Sequence, residues 1–187
     1  MNRFSLCLCV VALLLASGCK REPELTKYYP LPDFSLTDQT DKTVTLADLK
    51  GKVWIADFIF TNCGGTCPMM TGQMRKLQSG LPADVRMVSI TVDPDRDTPK
   101  ALAAYAAENG ATRDRWLFLT GDKKALHDLC IQGFKLPLDD SGGNVIEPIA
   151  HSTRFVLVDK DGQIRGYYNG TEEDELKRLT AAAKRLL

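Results

Sequence analysis

Set its amino terminus aside, and the chain is poor in cysteine. Of its six cysteines, Cys7 and Cys9 lie in an apolar run, Phe4 to Ala16, that follows Asn2-Arg3 and closes with Ala16-Ser17-Gly18-Cys19, the layout of a secretory signal. With the signal removed and lipid on Cys19, only Cys63, Cys67 and Cys130 remain as thiols. That excludes a disulfide scaffold. Roughly 160 residues bury about two-thirds of their surface without covalent staples, so the cysteines are free for chemistry. Charge of one sign is lacking too: 24 basic and 24 acidic residues cancel. No basic stripe interleaves with aromatics, which argues against nucleic acid as a partner. The run Phe4 to Ala16 is far shorter than the roughly 20 residues that cross a bilayer. Internal repeats and low-complexity tracts are absent, and there are only two histidines, His127 and His151.

The small residues before Cys19 resemble the lipobox of bacterial lipoproteins, which makes residues 1–18 a signal peptide and Cys19 the lipidated first residue. Ala16 stands where such boxes more often carry Leu, and an ordinary cleaved signal or a retained short anchor are the alternatives. Either way the chain is expected in the cell envelope, outside the cytoplasmic membrane. Lys20, not an aspartate, follows the cysteine, which favours the outer membrane in a cell with two. Lys20 to Pro32 is polar and proline-bearing and suits a flexible tether. Residues 19–29 are expected as tether and residues 30–187 as one domain.

Within the domain, Phe34 to Leu46 alternates polar and apolar around Asp38-Gln39-Thr40-Asp41 and predicts a hairpin. Val53 to Phe60 is a nearly continuous β-prone apolar run, as expected of a central strand covered on both faces. Met69, Met70, Met74 and Leu77 recur at helical spacing. The alternation continues with a strand over Val85 to Val92, a helix over Pro99 to Glu108, a strand over Trp116 to Leu119 and a helix over Lys123 to Gln132. A hairpin, Phe155 to Val158 with Ile164 to Tyr168 around Asp159-Lys160-Asp161-Gly162, and an amphipathic helix from Glu172 to Leu187 complete the chain. Strands separated by helices predict an α/β sheet with parallel pairs, helices on both faces and a late antiparallel edge. Gly133 to Pro148, with Gly142-Gly143, is the longest irregular piece and a candidate loop over a site.

The chemistry concentrates in Phe60-Thr61-Asn62-Cys63-Gly64-Gly65-Thr66-Cys67-Pro68. Cys63 leaves the central strand and Cys67 starts the next helix, at the sheet edge where α/β proteins bind ligands. Unpaired N–H groups and the helix dipole there are expected to make both thiols ionise more readily than a free cysteine. Gly64 and Gly65 permit a tight turn, and Pro68 suits a first helical turn. Such a pair can hold a soft ion, close a structural disulfide, or shuttle electrons. His151 precedes a strand expected beside the cysteine loop and is a candidate third ligand; two thiolates and an imidazole suit copper or zinc. A histidine satisfied by hydrogen bonds is the alternative. His127, inside a helix, reads as a surface or satisfied side chain, and Cys130, beside Leu126 and Leu129, as a buried core residue.

Three stretches together resemble the Sco/SenC family: Asp57-Phe58-Ile59-Phe60-Thr61-Asn62-Cys63 with Cys67-Pro68, then Val92-Asp93-Pro94-Asp95-Arg96-Asp97-Thr98-Pro99, then His151-Ser152 ahead of Val158-Asp159-Lys160-Asp161-Gly162. The match runs from about Pro30 to Leu187, in the family's order and spacing. The resemblance implies a thioredoxin-like fold and a copper-binding protein that helps metallate the binuclear copper centre of cytochrome c oxidase. It implies Cys63, Cys67 and His151 as the copper ligands, the copper-bearing oxidase subunit or another copper protein as partner, and Asp93 near the site without being a ligand. Family members commonly carry a proline and an acidic or polar residue between the cysteines. Gly64-Gly65-Thr66 departs from that, which bears on copper affinity and on the docking surface.

A copper chaperone is thus the first reading and a thiol-disulfide oxidoreductase using Cys63 and Cys67 the second. Thioredoxin-type reductases place two residues between their cysteines and a proline before the strand at the position of Thr153; this chain has three residues and no such proline. A peroxidase ranks third, because Thr61-Asn62-Cys63 and Thr66-Cys67 lack the Thr-x-x-Cys setting of a peroxidatic cysteine.

Overall fold

The computed structural model describes residues 24–139 and 149–187. The signal residues, Cys19 and Gly142-Gly143 lie outside the described residues. The alternating segment after Pro32 forms β1 (Ser35–Asp38) and β2 (Thr43–Thr45), an antiparallel pair. Thr45 then caps a single helical turn, α1 (Leu46–Leu49), by accepting from the Asp48 backbone N–H, while the Asp48 carboxylate accepts from the Thr45 N–H.

The apolar run becomes β3 (Trp54–Ile59), with all six residues buried. Side chains alternate across a strand, so the two faces of β3 feed two separate cores. Trp54, Ala56, Phe58 and, just beyond the strand, Phe60 enter one cluster, while Ile55 and Ile59 enter the other. Coverage on both sides is why the run shows no polar alternation.

After β3 come α2 (Cys67–Gly80), β4 (Arg86–Thr91), α3 (Pro99–Glu108), β5 (Trp116–Thr120) and α4 (Lys123–Asp128). The remaining elements are β6 (Leu138–Asp139), β7 (Ala150–His151), β8 (Arg154–Val158), β9 (Ile164–Asn169) and α5 (Glu173–Arg185). Seven strands form one sheet in the order β2-β1-β5-β4-β3-β8-β9. β3, β4 and β5 are parallel, and both edges are antiparallel hairpins. Met70, Met74 and Leu77 of α2 share one core with Leu102 of α3 and Leu179 of α5, whereas Leu126 of α4 belongs to the core on the opposite face. This is the mixed α/β layering expected from the alternation.

Three details differ from the expectation. The helix over Lys123 to Gln132 is α-helical only to Asp128 and continues as a π turn, Leu129–Gly133. The wider turn carries Phe134 under the sheet, where its ring meets Phe58 edge to face at 5.2 Å and Trp54 at 6.1 Å. The irregular piece holds one strand of a short ribbon, β6, which pairs with β7 just beyond it. Finally, residues 25–29 lie along the outer edge of β9. Tyr28 N–H donates to Ile164 O and Ile164 N–H to Tyr29 O, each at 2.9 Å. The buried Arg165 guanidinium donates to Leu25 O at 2.6 Å, Thr26 O at 3.1 Å and the Asp159 carboxylate at 2.8 Å. Leu25 packs on the α5 core. Among the described residues, no helix is long and apolar enough to cross a membrane.

Candidate metal centre

β3 and β4 run parallel and in register to Ile59 and Thr91, so the loops that leave them share one sheet edge. The first loop carries Cys63, and Cys67 opens α2. The Thr66 side chain makes no capping bond to that helix, and Pro68 lies in its first turn; its fixed φ suits the position and no hydrogen bond is lost there. β8 lies antiparallel to β3, with Ala56 opposite Val156. The chain entering β8 therefore arrives where β3 departs. β7 delivers His151 to that place, held by its pairing opposite Leu138, with the imidazole edge-on to Phe60 at 5.7 Å between ring centres.

The structure thus brings together the three residues singled out in the sequence. The donor atoms of Cys63, Cys67 and His151 all lie within 4.8 Å of one another, and no other such group of three or more occurs among the described residues. Cys67 Sγ is 3.1 Å from His151 Nε2, and His151 Nδ1 is 3.1 Å from the carbonyl oxygen of Ser152. A carbonyl only accepts, so Nδ1 carries the proton and Nε2 turns its lone pair toward the sulfurs. Metal-binding histidines are commonly oriented by such a bond from the other ring nitrogen.

The expected easy ionisation of both thiols does not hold at Cys67. Its side chain is fully buried, and this burial pushes the thiol far above the usual range, with the neighbouring Cys63 adding to the shift and a backbone hydrogen bond from Phe60 only partly opposing it. The helix terminus is a local effect, whereas burial comes from packing that the local sequence does not reveal. Cys67 is consequently an S–H that hydrogen-bonds Nε2, and it becomes a thiolate only when something takes the place of its proton.

Two carboxylates under the site were not singled out beforehand. Asp57, in the middle of β3, is fully buried; it accepts from Ser89 Oγ at 2.6 Å, and Ser89 Oγ in turn accepts from Trp116 Nε1 at 2.9 Å. Its Oδ2 has no partner among the described residues, and burial raises its pKa from 3.8 to about 7. The available signal was one charged residue inside VWIADFIF. Asp97, also fully buried, accepts from the backbone N–H and hydroxyl of Thr61 and from the hydroxyl of Thr91.

The remaining candidates lie outside the cluster. His127 is half-buried on α4. Cys130 is fully buried in the π turn, its thiol pushed up to about 12 by burial. Asp93 is buried on the loop after β4 and holds Arg96 Nε.

Known proteins resemble this chain in sequence and in fold. The SCO1/SenC family model matches residues 24–187. The SCO1 protein homolog of Bacillus subtilis is 40% identical over 148 residues, covering 77% of this chain and 76% of the relative. A SCO1/SenC family lipoprotein from Bacillus anthracis superposes with a TM-score of 0.78 at 34% identity, over 84% of this chain and 95% of the other. ScoI of Bradyrhizobium japonicum, solved with copper bound, gives 0.71 at 25% identity, over 85% of this chain and all 100% of that one. The fold is therefore thioredoxin-like. With the family model spanning every described residue and the three donors gathered at one sheet edge, the chain belongs to the SCO1/SenC family.

Proposed function

We propose that this protein binds one copper ion through Cys63, Cys67 and His151 and delivers copper to cytochrome c oxidase, or prepares the copper site of that enzyme. Members of the Sco family are copper-binding proteins of cytochrome c oxidase assembly. The observation that carries the reading is the cluster itself: two sulfurs and an imidazole nitrogen within 4.8 Å, with the nitrogen's lone pair directed at the sulfurs. Two thiolates satisfy soft Cu(I), and the imidazole suits the harder Cu(II). The donor set would also accept zinc; the copper-bound relative favours copper. Copper here is cargo. The protein's part is to present two sulfurs at a sheet edge, orient the imidazole through Ser152, and give up the Cys67 proton as metal enters.

The site operates outside the cytoplasmic membrane, with Cys19 as the lipid anchor; the lipobox-like residues before Cys19 support this. A thiol-disulfide exchange role draws on the same pair, since Cys63 and Cys67 lie close enough to join after a small movement. Chaperone and reductase can coexist, because the reduced pair serves both.

Titration of the purified, reduced protein with Cu(I) and Cu(II) tests the reading, alongside the reduction potential of the cysteine pair. About one copper is expected per chain. Cys63→Ser or Cys67→Ser is expected to abolish stoichiometric Cu(I) binding, because only one thiolate is then left beside His151 where the soft ion calls for two. Unchanged stoichiometry in either variant overturns the assignment.

A further inference from the structure

We infer that Asp97 is a positioning residue for the metal loop: its carboxylate fixes where Cys63 sits, and so tunes copper affinity, without touching the metal. The inference rests on the copper reading above. Thr61 follows directly on Phe60 and stands two residues before Cys63. The regular bonding beyond β3 ends with Val92 N–H donating to Ile59 O at 2.9 Å. The next free donor, Thr61 N–H, turns to Asp97, 3.1 Å from Oδ2 and 3.3 Å from Oδ1. The Thr61 hydroxyl donates to Oδ1 and the Thr91 hydroxyl to Oδ2. One carboxylate therefore ties the exit of β3 to the exit of β4, at the root of the loop that presents the thiol.

The carboxylate is fully buried, and among the described residues no lysine or arginine forms an ion pair with it. Burying a charge against neutral donors is costly, and the bonds it makes bear on the cysteine loop. Asp93 provides the contrast within the same turn. It too is buried, yet among the described residues its carboxylate holds only Arg96, three residues on.

The test compares the purified full chain with Asp97→Asn, Thr61→Val, Thr61→Ser and Asp93→Asn. Asparagine keeps one acceptor and puts a donor opposite the hydroxyl or the N–H, so the knot cannot close as before. Orienting groups behind metal ligands typically carry about 10–100-fold in affinity. Asp97→Asn is expected to weaken Cu(I) binding by that range, to shift the thiolate-to-Cu(II) charge-transfer band, and to change the equilibrium of the Cys63–Cys67 pair with glutathione, a readout that needs no metal. Thr61→Val is expected to move all three in the same direction by less, with Thr61→Ser and Asp93→Asn close to the parent. Parent-like affinity, band and thiol equilibrium in Asp97→Asn overturn the inference. So does equal weakening in Asp97→Asn and Asp93→Asn, which marks general loosening of the turn. If Asp97→Asn does not fold, the Thr61 pair decides: equal behaviour of Thr61→Val and Thr61→Ser overturns it. Failure of the parent to bind copper refutes the proposed function; a parent that binds beside an indifferent Asp97→Asn refutes only the role of Asp97.

Discussion

Replacing Asp57 by asparagine isolates the cost of keeping a carboxyl group under the metal site. In the unfolded chain this group titrates near 3.8, and in the folded protein burial raises it to about 7. Between those values the native state holds a proton that the unfolded state has released, so stability falls as pH rises through this window and levels off above it. A displacement of about three units corresponds to about 4 kcal/mol at the plateau, of the same order as the whole stability of many domains. Asparagine keeps the acceptor for Ser89 Oγ and cannot ionise. Its amide nitrogen takes the place of the unpartnered Oδ2, so one unsatisfied polar atom is exchanged for another at a cost of about 1–3 kcal/mol that does not vary with pH. Denaturant unfolding of the reduced, metal-free protein at several pH values from 4 to 8 reads the difference between parent and variant. Asp57→Asn is expected to gain on the parent as pH rises to about 7 and to level off beyond it, by up to about 4 kcal/mol in total. A difference that stays constant from pH 4 to 8 refutes the assignment of a raised pKa to Asp57.

Four further outcomes are expected from the placement of the ligands and of Cys130. His151→Ala is expected to alter the Cu(II) thiolate charge-transfer band while leaving Cu(I) stoichiometry near one, and an identical band makes the histidine structural. Copper binding is expected to release the Cys67 proton that burial retains, contributing about a tenfold loss of apparent affinity per unit fall in pH; titrations in two buffers of different protonation enthalpy measure the release. Cys130→Ala is expected to leave copper stoichiometry intact and to cost on the order of 1 kcal/mol in stability through lost packing. Mass spectrometry of oxidised protein is expected to show Cys63 joined to Cys67 and Cys130 free; a bridge from Cys130 to either partner contradicts its placement in the core.

Elements were readable in advance where burial marks the sequence, as a continuous apolar run when both faces of a strand are covered or as small and apolar residues along a helix. β3 and α3 are cases, Pro99–Glu108 matching residue for residue. The three ligand candidates were readable because their residue types are rare here and their places follow from topology: an antiparallel β8 must start where β3 stops. What escaped reading depends on contacts distant in sequence. The π turn after Asp128 answers to the packing of Phe134 beneath Trp54 and Phe58. The raised Cys67 thiol answers to the depth at which α2 begins. Asp97 belonged to a recognisable motif, but its bonds to Thr61 span 36 positions, and no local pattern announces them. The polar, proline-bearing composition of Lys20 to Pro32 suggested a flexible tether, and it concealed the docking of residues 25–29 because pairing along β9 uses backbone atoms that any side chains would allow.

That docked strip changes the reach of the molecule. Anchored at Cys19, as proposed, the domain would hang on the five residues Lys20–Glu24, a leash of at most ~20 Å even when drawn straight. A body of this size measures about 40 Å across, so the leash is shorter than the object it holds. Instead of ranging freely, the copper site would stay within about 60 Å of the lipid, the sum of leash and body. Confinement of that kind raises the rate of encounter with a partner embedded in the same membrane and limits which of its faces can be met. Loosening the Arg165 clamp would lengthen the leash and dilute those encounters with no change at the metal ligands.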